Sequence, residues 1–447
     1  MDDTRAAPIV SEATIRTVCG DVAIPPMGII EQVWRTDPLT GTAIDDAAAA
    51  AVGGLTLEAV PSGGSIAVGV GSRGIANIDR IVAAVIGELQ SQGYAPFIFP
   101  AMGSHGGASA SGQAEMLAEY GITEAAMGCP ITATMDTVEI GRGQTHDVPV
   151  VTDAAAAAAD GICVINRIKP HTSFAGDVES GLSKMLVIGM GKQRGAKLAH
   201  QYALDWSFRD MLPEITAVIL AELPIVGGIA IVEDQHDATA RIEGVPPSGF
   251  LSREAELLGE AYDLLPQLPF DTLDVVVFDR MGKDISGAGL DTNVTGRNYV
   301  VNEPSPPDPT IRRIYARSLT PGSHGNAAGL GQADVIHADL YRAMDIDETV
   351  VNLVTSGTVE NARIPITVET DWAGIAACIS TVGVRTPETI RMLRATDTMQ
   401  LGRLYASPAL CAAARDREDL RVIREPEPMG FDAGALVDPA PTDGAHR

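Results

Sequence analysis

The chain is poor in cysteine, and its few cysteines are scattered. It contains five in 447 residues, with no CxxC pair among them. An odd number of widely separated cysteines argues against a disulfide framework and against a thiolate metal site. This pattern is typical of a reducing compartment, so we predict a cytoplasmic protein.

Basic residues are also scarce. The chain has 32 Lys and Arg against 58 Asp and Glu, which gives a formal charge of −26 at pH 7. A charge of this sign repels phosphate backbones and anionic lipid surfaces, so we expect neither nucleic acid nor a membrane as a partner. An anionic substrate would need basic side chains placed locally, and Arg73, Lys184 and Arg297 lie in Gly-rich segments.

Long hydrophobic runs are absent as well. No stretch of about 18 apolar residues occurs, and residues 1–20 lack the apolar segment of a signal peptide. We therefore expect neither secretion nor a membrane span. Because 45% of the residues are hydrophobic, a chain of this length can form more than one core.

Strand and helix patterns alternate in the first half of the chain. Residues 65–70 read as a strand, and apolar residues from Ile78 onward recur at helical spacing behind a candidate N-cap, Asn77. A second strand at 96–99 runs into a Gly-rich loop and another helix, and a third strand begins at 161. This order predicts a parallel sheet.

The prolines at 266 and 269 mark a predicted linker, after which a second α/β pattern begins at 273. We predict an α/β fold of two domains, each a mainly parallel sheet covered by helices, with the active site in the cleft between them. The predicted N-terminal catalytic and cofactor-binding domain is 1–268, and the C-terminal α/β domain is 269–424. Residues 425–447 are predicted to be a loosely ordered tail.

The turn after the first of these strands contains Gly69-Val70-Gly71-Ser72-Arg73-Gly74, a G-x-G-x-x-G pattern between a strand and a helix. That context can indicate dinucleotide binding. However, no acidic residue follows the second strand to hold a ribose. A general anion site with Arg73 and a simple tight turn are the alternatives.

Two histidines follow predicted strands in Gly- or Pro-containing loops. His105 stands in Gly103-Ser104-His105-Gly106-Gly107, where it can exchange protons or simply be a surface residue. His171 follows Lys169-Pro170, and the proline stiffens its approach. Two histidines at neighbouring strand ends suit acid and base chemistry on the two faces of one centre.

Lys184 and His200 are the remaining candidates. Lys184 lies in Ser180-Gly181-Leu182-Ser183-Lys184-Met185, where it is either a desolvated nucleophile or the partner of an anion. The phosphate-loop pattern fails there because Leu186 replaces its first Gly. His200 lies on a predicted helix with no second metal ligand at the usual spacing. A metal held by His200 would need ligands from a cofactor.

Taken together, these motifs resemble the nickel-pincer-nucleotide-dependent lactate racemase family. The resemblance rests on the order of Gly71-Ser72-Arg73, Gly103-Ser104-His105, Lys169-Pro170-His171, Ser180-Gly181-Leu182-Ser183-Lys184 and His200. It spans residues 60–205 and continues more faintly through Lys283-Asp284 and Asp291-Thr292-Asn293-Val294.

The resemblance implies a racemase or epimerase that inverts the C2 centre of a 2-hydroxy acid. It implies proton-coupled hydride transfer to the nickel-pincer nucleotide, a pyridinium-3,5-bisthiocarboxylic acid mononucleotide that holds nickel. The residues it assigns are His105 and His171 for catalysis, Lys184, Ser72 and Arg73 for the cofactor, Arg73, Lys283 and Arg297 for the substrate, and His200 for nickel.

The sequence departs from that family at three places. Val70 stands where an aspartate is expected, residues 185–189 replace a Pro-Gly turn, and Gly296 and Tyr299 replace a glutamine and a lysine. These departures favour a larger or more polar hydroxy acid than lactate, or a sugar acid. The alternatives are a nicotinamide-dependent oxidoreductase and a non-catalytic small-molecule binding protein without the cofactor.

Overall fold

The computed structural model describes residues 8–71, 74–301 and 303–437. The chain forms two compact units. The continuous unit is Thr36–Leu265, and the split unit combines the described residues up to Arg35 with those from Pro266 onward. The predicted class of fold is confirmed, because both units contain mainly parallel sheets flanked by helices. A cleft between the units as the active site stays a prediction.

The N-terminal segment belongs to the split unit, which differs from the predicted domain 1–268. It forms strand β1 (Ile9–Val10), helix α1 (Glu12–Cys19) and strand β2 (Met27–Gln32). Strand β2 is hydrogen-bonded between the strands Arg403–Ala406 and Leu420–Glu427. The segment therefore completes a sheet whose other strands lie late in the sequence.

The continuous unit contains a five-stranded sheet with helices on both faces and a separate two-stranded sheet. Its strands are β3 (Ser65–Val70), β4 (Ala95–Pro100), β5 (Thr137–Arg142), β6 (Pro149–Asp153), β7 (Gly161–Arg167), β8 (Ile225–Glu233) and β9 (Thr239–Val245). Its helices are α2 (Thr42–Ala51), α3 (Ile78–Ser91), α4 (Ala110–Glu119), α5 (Glu124–Met127), α6 (Ala154–Ala157), α7 (Leu182–Lys184), α8 (Lys192–Trp206), α9 (Phe208–Glu222) and α10 (Phe250–Asp263).

The sheet order is β4-β3-β7-β8-β9, and the first four strands are parallel. Side chains of β3 alternate between two cores: Ile66, Val68 and Val70 pack on the α3 side, and Ala67 packs on the other. The carboxyl ends of β3, β4 and β7 thus meet at one edge. In open α/β sheets this edge is where ligands bind.

One local prediction in this unit is wrong, and one stretch of high helix propensity forms little helix. Asn77 precedes α3 but does not cap it, because its backbone is left-handed (φ 58°) and its amide donates to Thr239 Oγ1 at 3.0 Å. The alanine-rich stretch 153–160 forms only the short helix α6. Asp153 begins that helix by accepting the N–H groups of Ala155 and Ala156 at 2.8 and 2.9 Å.

The split unit contains a nine-stranded sheet and a small hairpin. Its further strands are β10 (Thr272–Phe278), β11 (Thr310–Ala316), β12 (Val335–His337), β13 (Ile366–Val368), β14 (Met392–Ala395), β15 (Arg403–Ala406), β16 (Leu420–Glu427), β17 (Gly430–Asp432) and β18 (Ala435–Val437). Its further helices are α11 (Thr292–Thr295), α12 (Ala338–Ala343), α13 (Ile346–Ser356), α14 (Asp371–Ser380) and α15 (Pro408–Arg415).

The C-terminal region is more ordered than predicted. Strand β16 extends to Glu427, and β17 and β18 pair with each other in antiparallel fashion. This hairpin is attached to α14 because the backbone N–H of Leu436 donates to Asp371 at 2.8 Å. Residues 438–447 of the predicted tail lie outside the described residues. Among the described helices, none is long and apolar enough to cross a membrane.

Candidate active site

The His105 loop follows β4 and is held by contacts from two other elements. The N–H of Gly103 donates to the carbonyl oxygen of Gly189 at 3.0 Å. The side-chain amide of Gln113 donates to the carbonyl oxygens of Gly103 and His105, at 2.9 and 3.3 Å. His105 itself is exposed. The backbone is fixed while the imidazole reaches solvent, as a proton-exchanging group requires.

The His171 loop follows β7 and is closed at its base. Lys169 and Ser180 pair through two backbone hydrogen bonds of 2.9 and 3.3 Å. Within the loop, Nδ1 of His171 accepts the N–H of Ser173 at 3.0 Å, and its ring stacks on Phe174 with centroids 4.4 Å apart. Because Nδ1 is an acceptor, the neutral ring carries its proton on Nε2.

Lys184 lies at the end of the short helix α7, whose start is clamped by a buried carboxyl group. The N–H and the hydroxyl of Ser183 donate to Glu254 Oε2 at 2.9 and 2.6 Å. Burial raises the pKa of Glu254 to about 7. A Cβ atom at Gly181 would meet Glu254 Oε1 at 2.1 Å, so only glycine permits this approach.

The segment after Lys184, where the resemblance expects a Pro-Gly turn, is a π-helical turn over Met185–Gly189. The N–H of Met190 donates to the carbonyl oxygen of Met185 at 2.9 Å. Such turns insert one residue into a helix and are frequent at functional sites. Here the turn connects Lys184 to α8, which carries His200.

His200 is accessible to solvent and packs edge-on against Phe208, with ring centroids 5.2 Å apart. Phe208 in turn stacks on Phe174 at 5.4 Å, and Phe174 stacks on His171. Desolvation, followed by the nearby charge of Lys184, lowers the pKa of His200. The structure therefore brings His171, Lys184 and His200 into one neighbourhood.

Glu179 was missed by the sequence reasoning. It is only 1% exposed and accepts hydrogen bonds from the N–H groups of His171 and Gly176 and from the hydroxyl of Tyr262. Burial raises the pKa of Glu179, and these donors and the charge of Lys184 oppose that rise. An acidic residue in the Gly-rich segment between His171 and Lys184 was the signal available in the sequence.

His200 and Lys184 are the two residues to which the resemblance assigns the cofactor. Among the described residues, no group of three or more His, Cys, Asp or Glu could together hold a metal ion. The lowered pKa of His200 favours the neutral imidazole, which is the form that binds metals. One neutral imidazole beside one lysine suits a cofactor that brings its own sulfur ligands.

The other predicted site residues have different surroundings. Ser72 and Arg73 lie outside the described residues, and their roles stay predictions. Lys283, in the split unit, donates through Nζ to the carbonyl oxygen of Gly287 at 2.7 Å and to Asn352 Oδ1 at 3.1 Å. Its role in substrate binding also stays a prediction.

Arg297, also in the split unit, is engaged within its own fold. Its guanidinium donates to the carbonyl oxygens of Gln332 and Ile311 at 2.6 and 3.0 Å and pairs with Asp334 at 2.8 Å. These contacts connect separate segments of the unit. They hold Arg297 within the unit, and its role in substrate binding stays a prediction.

The fold and these side chains define an α/β protein with ionisable groups at the carboxyl ends of parallel strands, where such folds bind small molecules. No protein-family model and no curated protein matches the chain. Among solved structures, the chain is similar to the lactate racemase apoprotein from Thermoanaerobacterium thermosaccharolyticum. The sequence identity is 10%, the match covers 84% of this chain and 89% of that chain, and the TM-score is 0.46.

Proposed function

We propose that this protein is an isomerase that inverts the C2 centre of a 2-hydroxy acid, with His105 and His171 as the proton-carrying groups. The observation that carries the proposal is the neighbourhood of Lys184, whose charge acts on both Glu179 and His200. His171 is tied to Glu179 by its backbone N–H. The order of the motifs in the sequence supports the same reaction.

Lys184 and His200 would hold the nickel-pincer nucleotide, Lys184 through a covalent link and His200 as the protein ligand of nickel. When bound, this cofactor supplies a reversible acceptor for the C2 hydrogen together with its electron pair. The imidazole of His200 must stay neutral to act as a ligand, and its lowered pKa favours that state.

Each of the two histidines transfers a proton on one face of the substrate. One accepts the proton of the C2 hydroxyl group, and the other returns a proton to the oxygen of the inverted centre. With Nδ1 bound to Ser173, neutral His171 presents an N–H group at Nε2. For His171 to accept a proton at Nε2, its contact with Ser173 must open, so the His171 loop has to adjust once in each cycle.

A nicotinamide cofactor is less well supported. A Cβ atom at Gly74 would meet nothing within 4 Å, whereas the last glycine of a dinucleotide fingerprint is required for close packing of helix and strand. The N–H of Ala76, just before α3, already donates to the carboxylate of Glu233 at 2.7 Å. The backbone just before α3 therefore already binds a carboxylate of the protein, that of Glu233.

The test is the nickel content per chain after expression with the cofactor-making enzymes. We expect nearly one nickel per chain in the wild type and loss of nickel in His200→Ala. His146→Ala is the matched control, because it removes a histidine whose ring packs on Trp206, with centroids 4.9 Å apart. His105→Ala and His171→Ala should keep nickel and lose inversion by at least about 100-fold.

The same samples are then tested with a panel of 2-hydroxy acids. Inversion of a larger or more polar acid in preference to lactate is the expected result. No nickel in the wild type, beside a properly loaded racemase, would overturn the cofactor assignment and favour a cofactor-free binding protein. Binding of NAD or NADP with a change in absorbance on adding substrate would favour an oxidoreductase instead.

A further inference from the structure

The loop at residues 169–180 encloses a buried carboxylate. Glu179 folds back into the loop, where it accepts the N–H of His171 at 2.5 Å and the N–H of Gly176 at 3.1 Å. From α10, the hydroxyl of Tyr262 donates to the same carboxylate at 2.9 Å. One side chain thus connects the backbone of His171 to helix α10. Glu179 and Tyr262 are 83 residues apart in the sequence.

Burying a carboxylate is expensive unless its oxygens are hydrogen-bonded and its charge is balanced. Glu179 meets both conditions, because three donors surround it and Lys184 supplies a nearby positive charge. A neutral side chain would close the same loop at a smaller desolvation cost. The charged group here is therefore balanced inside the fold, within the electrostatic reach of Lys184.

We propose that Glu179 is a positioning residue that sets the geometry of His171 and Lys184 together. This inference rests on the proposed function for the role of the two side chains, although the contacts can be tested without it. The carboxylate fixes the backbone of His171 through a charge-assisted hydrogen bond. Before the cofactor is attached, it also balances the charge of the Lys184 ammonium, without touching the substrate.

The ring of His171 then has little freedom. Its backbone is held by Glu179 and one face by Phe174, and both contacts remain when the contact between Nδ1 and the N–H of Ser173 opens. Proton transfer to a substrate oxygen needs an accurate distance, and a displacement of about 1 Å can cost about 100-fold in rate. Loss of Glu179 should therefore act on the rate of the chemical step.

Helix α10 supports Lys184 as well. Glu254 on this helix binds Ser183, the neighbour of Lys184, and Tyr262, two helical turns later, binds Glu179. Both contacts start from one rigid element. The spacing between His171 and Lys184 is therefore set by α10 through two carboxyl groups.

The test compares Glu179→Gln with Glu214→Gln in the full chain. Glu214 is a suitable control because its carboxylate also accepts a loop N–H and a hydroxyl, both from Thr145, at a place outside the site. Before cofactor loading, amide hydrogen exchange is measured at His171 and Gly176. We expect exchange about tenfold faster in Glu179→Gln, the equivalent of one hydrogen bond to a charged acceptor, and unchanged exchange at these amides in Glu214→Gln.

After loading, kinetics separate positioning from a purely structural effect. Glu179→Gln should lower kcat for inversion about tenfold or more while KM changes less than about twofold. Tyr262→Phe keeps both backbone donors to Glu179 and should give a smaller fall in kcat. Unchanged amide exchange in Glu179→Gln, or a rise in KM at constant kcat, would overturn the inference.

Failure of the proposed function can be distinguished from failure of the positioning role of Glu179. If the loaded wild type inverts no hydroxy acid, the function is wrong, and amide exchange at His171 and Gly176 still decides whether Glu179 holds the loop. Glu179→Ala is included as a stronger variant. If it does not fold, Glu179→Gln alone carries the test, because its amide can still accept one of the two N–H groups.

Discussion

Glu254 has no exposed surface, yet it carries a titratable group that is hydrogen-bonded to Ser183, the neighbour of Lys184 in the sequence. Burial raises its pKa from 4.5 to about 7, so the folded chain holds this proton more tightly than the unfolded chain. The contribution of protonated Glu254 to the free energy of unfolding is fully present below about pH 4.5. It is lost as the pH rises through about 7. At 1.36 kcal/mol per pKa unit, the effect between these limits is on the order of 3 kcal/mol.

We therefore predict that Glu254→Gln flattens the pH dependence of stability. The free energy of unfolding of the wild type should fall relative to that of Glu254→Gln between pH 5 and pH 8, by roughly 1 to 3 kcal/mol. Urea denaturation at these two values measures the difference. Parallel changes in the two proteins would show that Glu254 titrates as an ordinary carboxyl group.

At this scale the sequence indicated the candidate site residues but not the side chains that support them. His105, His171 and Lys184 stand in Gly- or Pro-containing segments, which are visible locally. Glu254 and Ser183 are 71 residues apart, and nothing near Glu254 marks it as other than one residue of an amphipathic helix. Such a contact follows from packing, which the local pattern does not specify.

At the scale of elements, the loop after β4 is attached to helix α8 by a buried ion pair. Lys192, at the start of α8, contacts Asp153 at 3.0 Å, the carbonyl oxygen of Pro100 at 2.5 Å and Gln113 Oε1 at 3.3 Å. Both charged side chains are completely buried. The ammonium thus joins the end of β4, the helix that carries His200 and the end of β6.

Lys192→Met should destabilise the continuous unit by about 3 to 5 kcal/mol, because it leaves the charge of Asp153 buried without a partner. Adding Asp153→Asn should recover part of this loss. The free energies of unfolding of the two single variants and the double variant form the measurement. Strictly additive losses would contradict a direct coupling between the two charges.

The bounds of a strand or helix could be predicted where the local sequence pattern alone determines them. Strand β3 matches the prediction at 65–70 because its apolar residues are bounded by glycines. The stretch 153–160 has high helix propensity but forms only α6, since the chain must enter β7 at Gly161. Tertiary contacts override propensity in such short segments.

At the scale of the whole molecule, the two units differ in how the chain forms them. All strands of the five-stranded sheet lie within the continuous unit, whereas the sheet of the split unit needs β2 between β15 and β16.

We predict that residues 36–265 fold alone with the circular dichroism of an α/β protein. Residues 266–437 alone should aggregate, because β15 and β16 lose their common neighbour.

Fusing residues 8–35 to the start of 266–437 should restore a soluble, cooperatively unfolding split unit. Light scattering and thermal unfolding measure both effects. A soluble and cooperative 266–437 would mean that β2 is dispensable. The linker near residue 268 was visible in the sequence through its prolines, but the partners of β2 were not, because a strand carries little information about distant neighbours.

The placement of β2 has a consequence for synthesis on the ribosome. Glu31 in β2 and Arg403 in β15 are hydrogen-bonded across 372 residues of chain. At translation rates of about 5 to 20 residues per second, the partner strand emerges roughly 20 to 75 s after β2. During this interval the continuous unit is made in full and can fold. In the nascent chain the continuous unit, with His105, His171 and Lys184, can therefore be folded while β2 is still unpaired and accessible to chaperones. The strand that pairs with β2 has not yet been translated at that time.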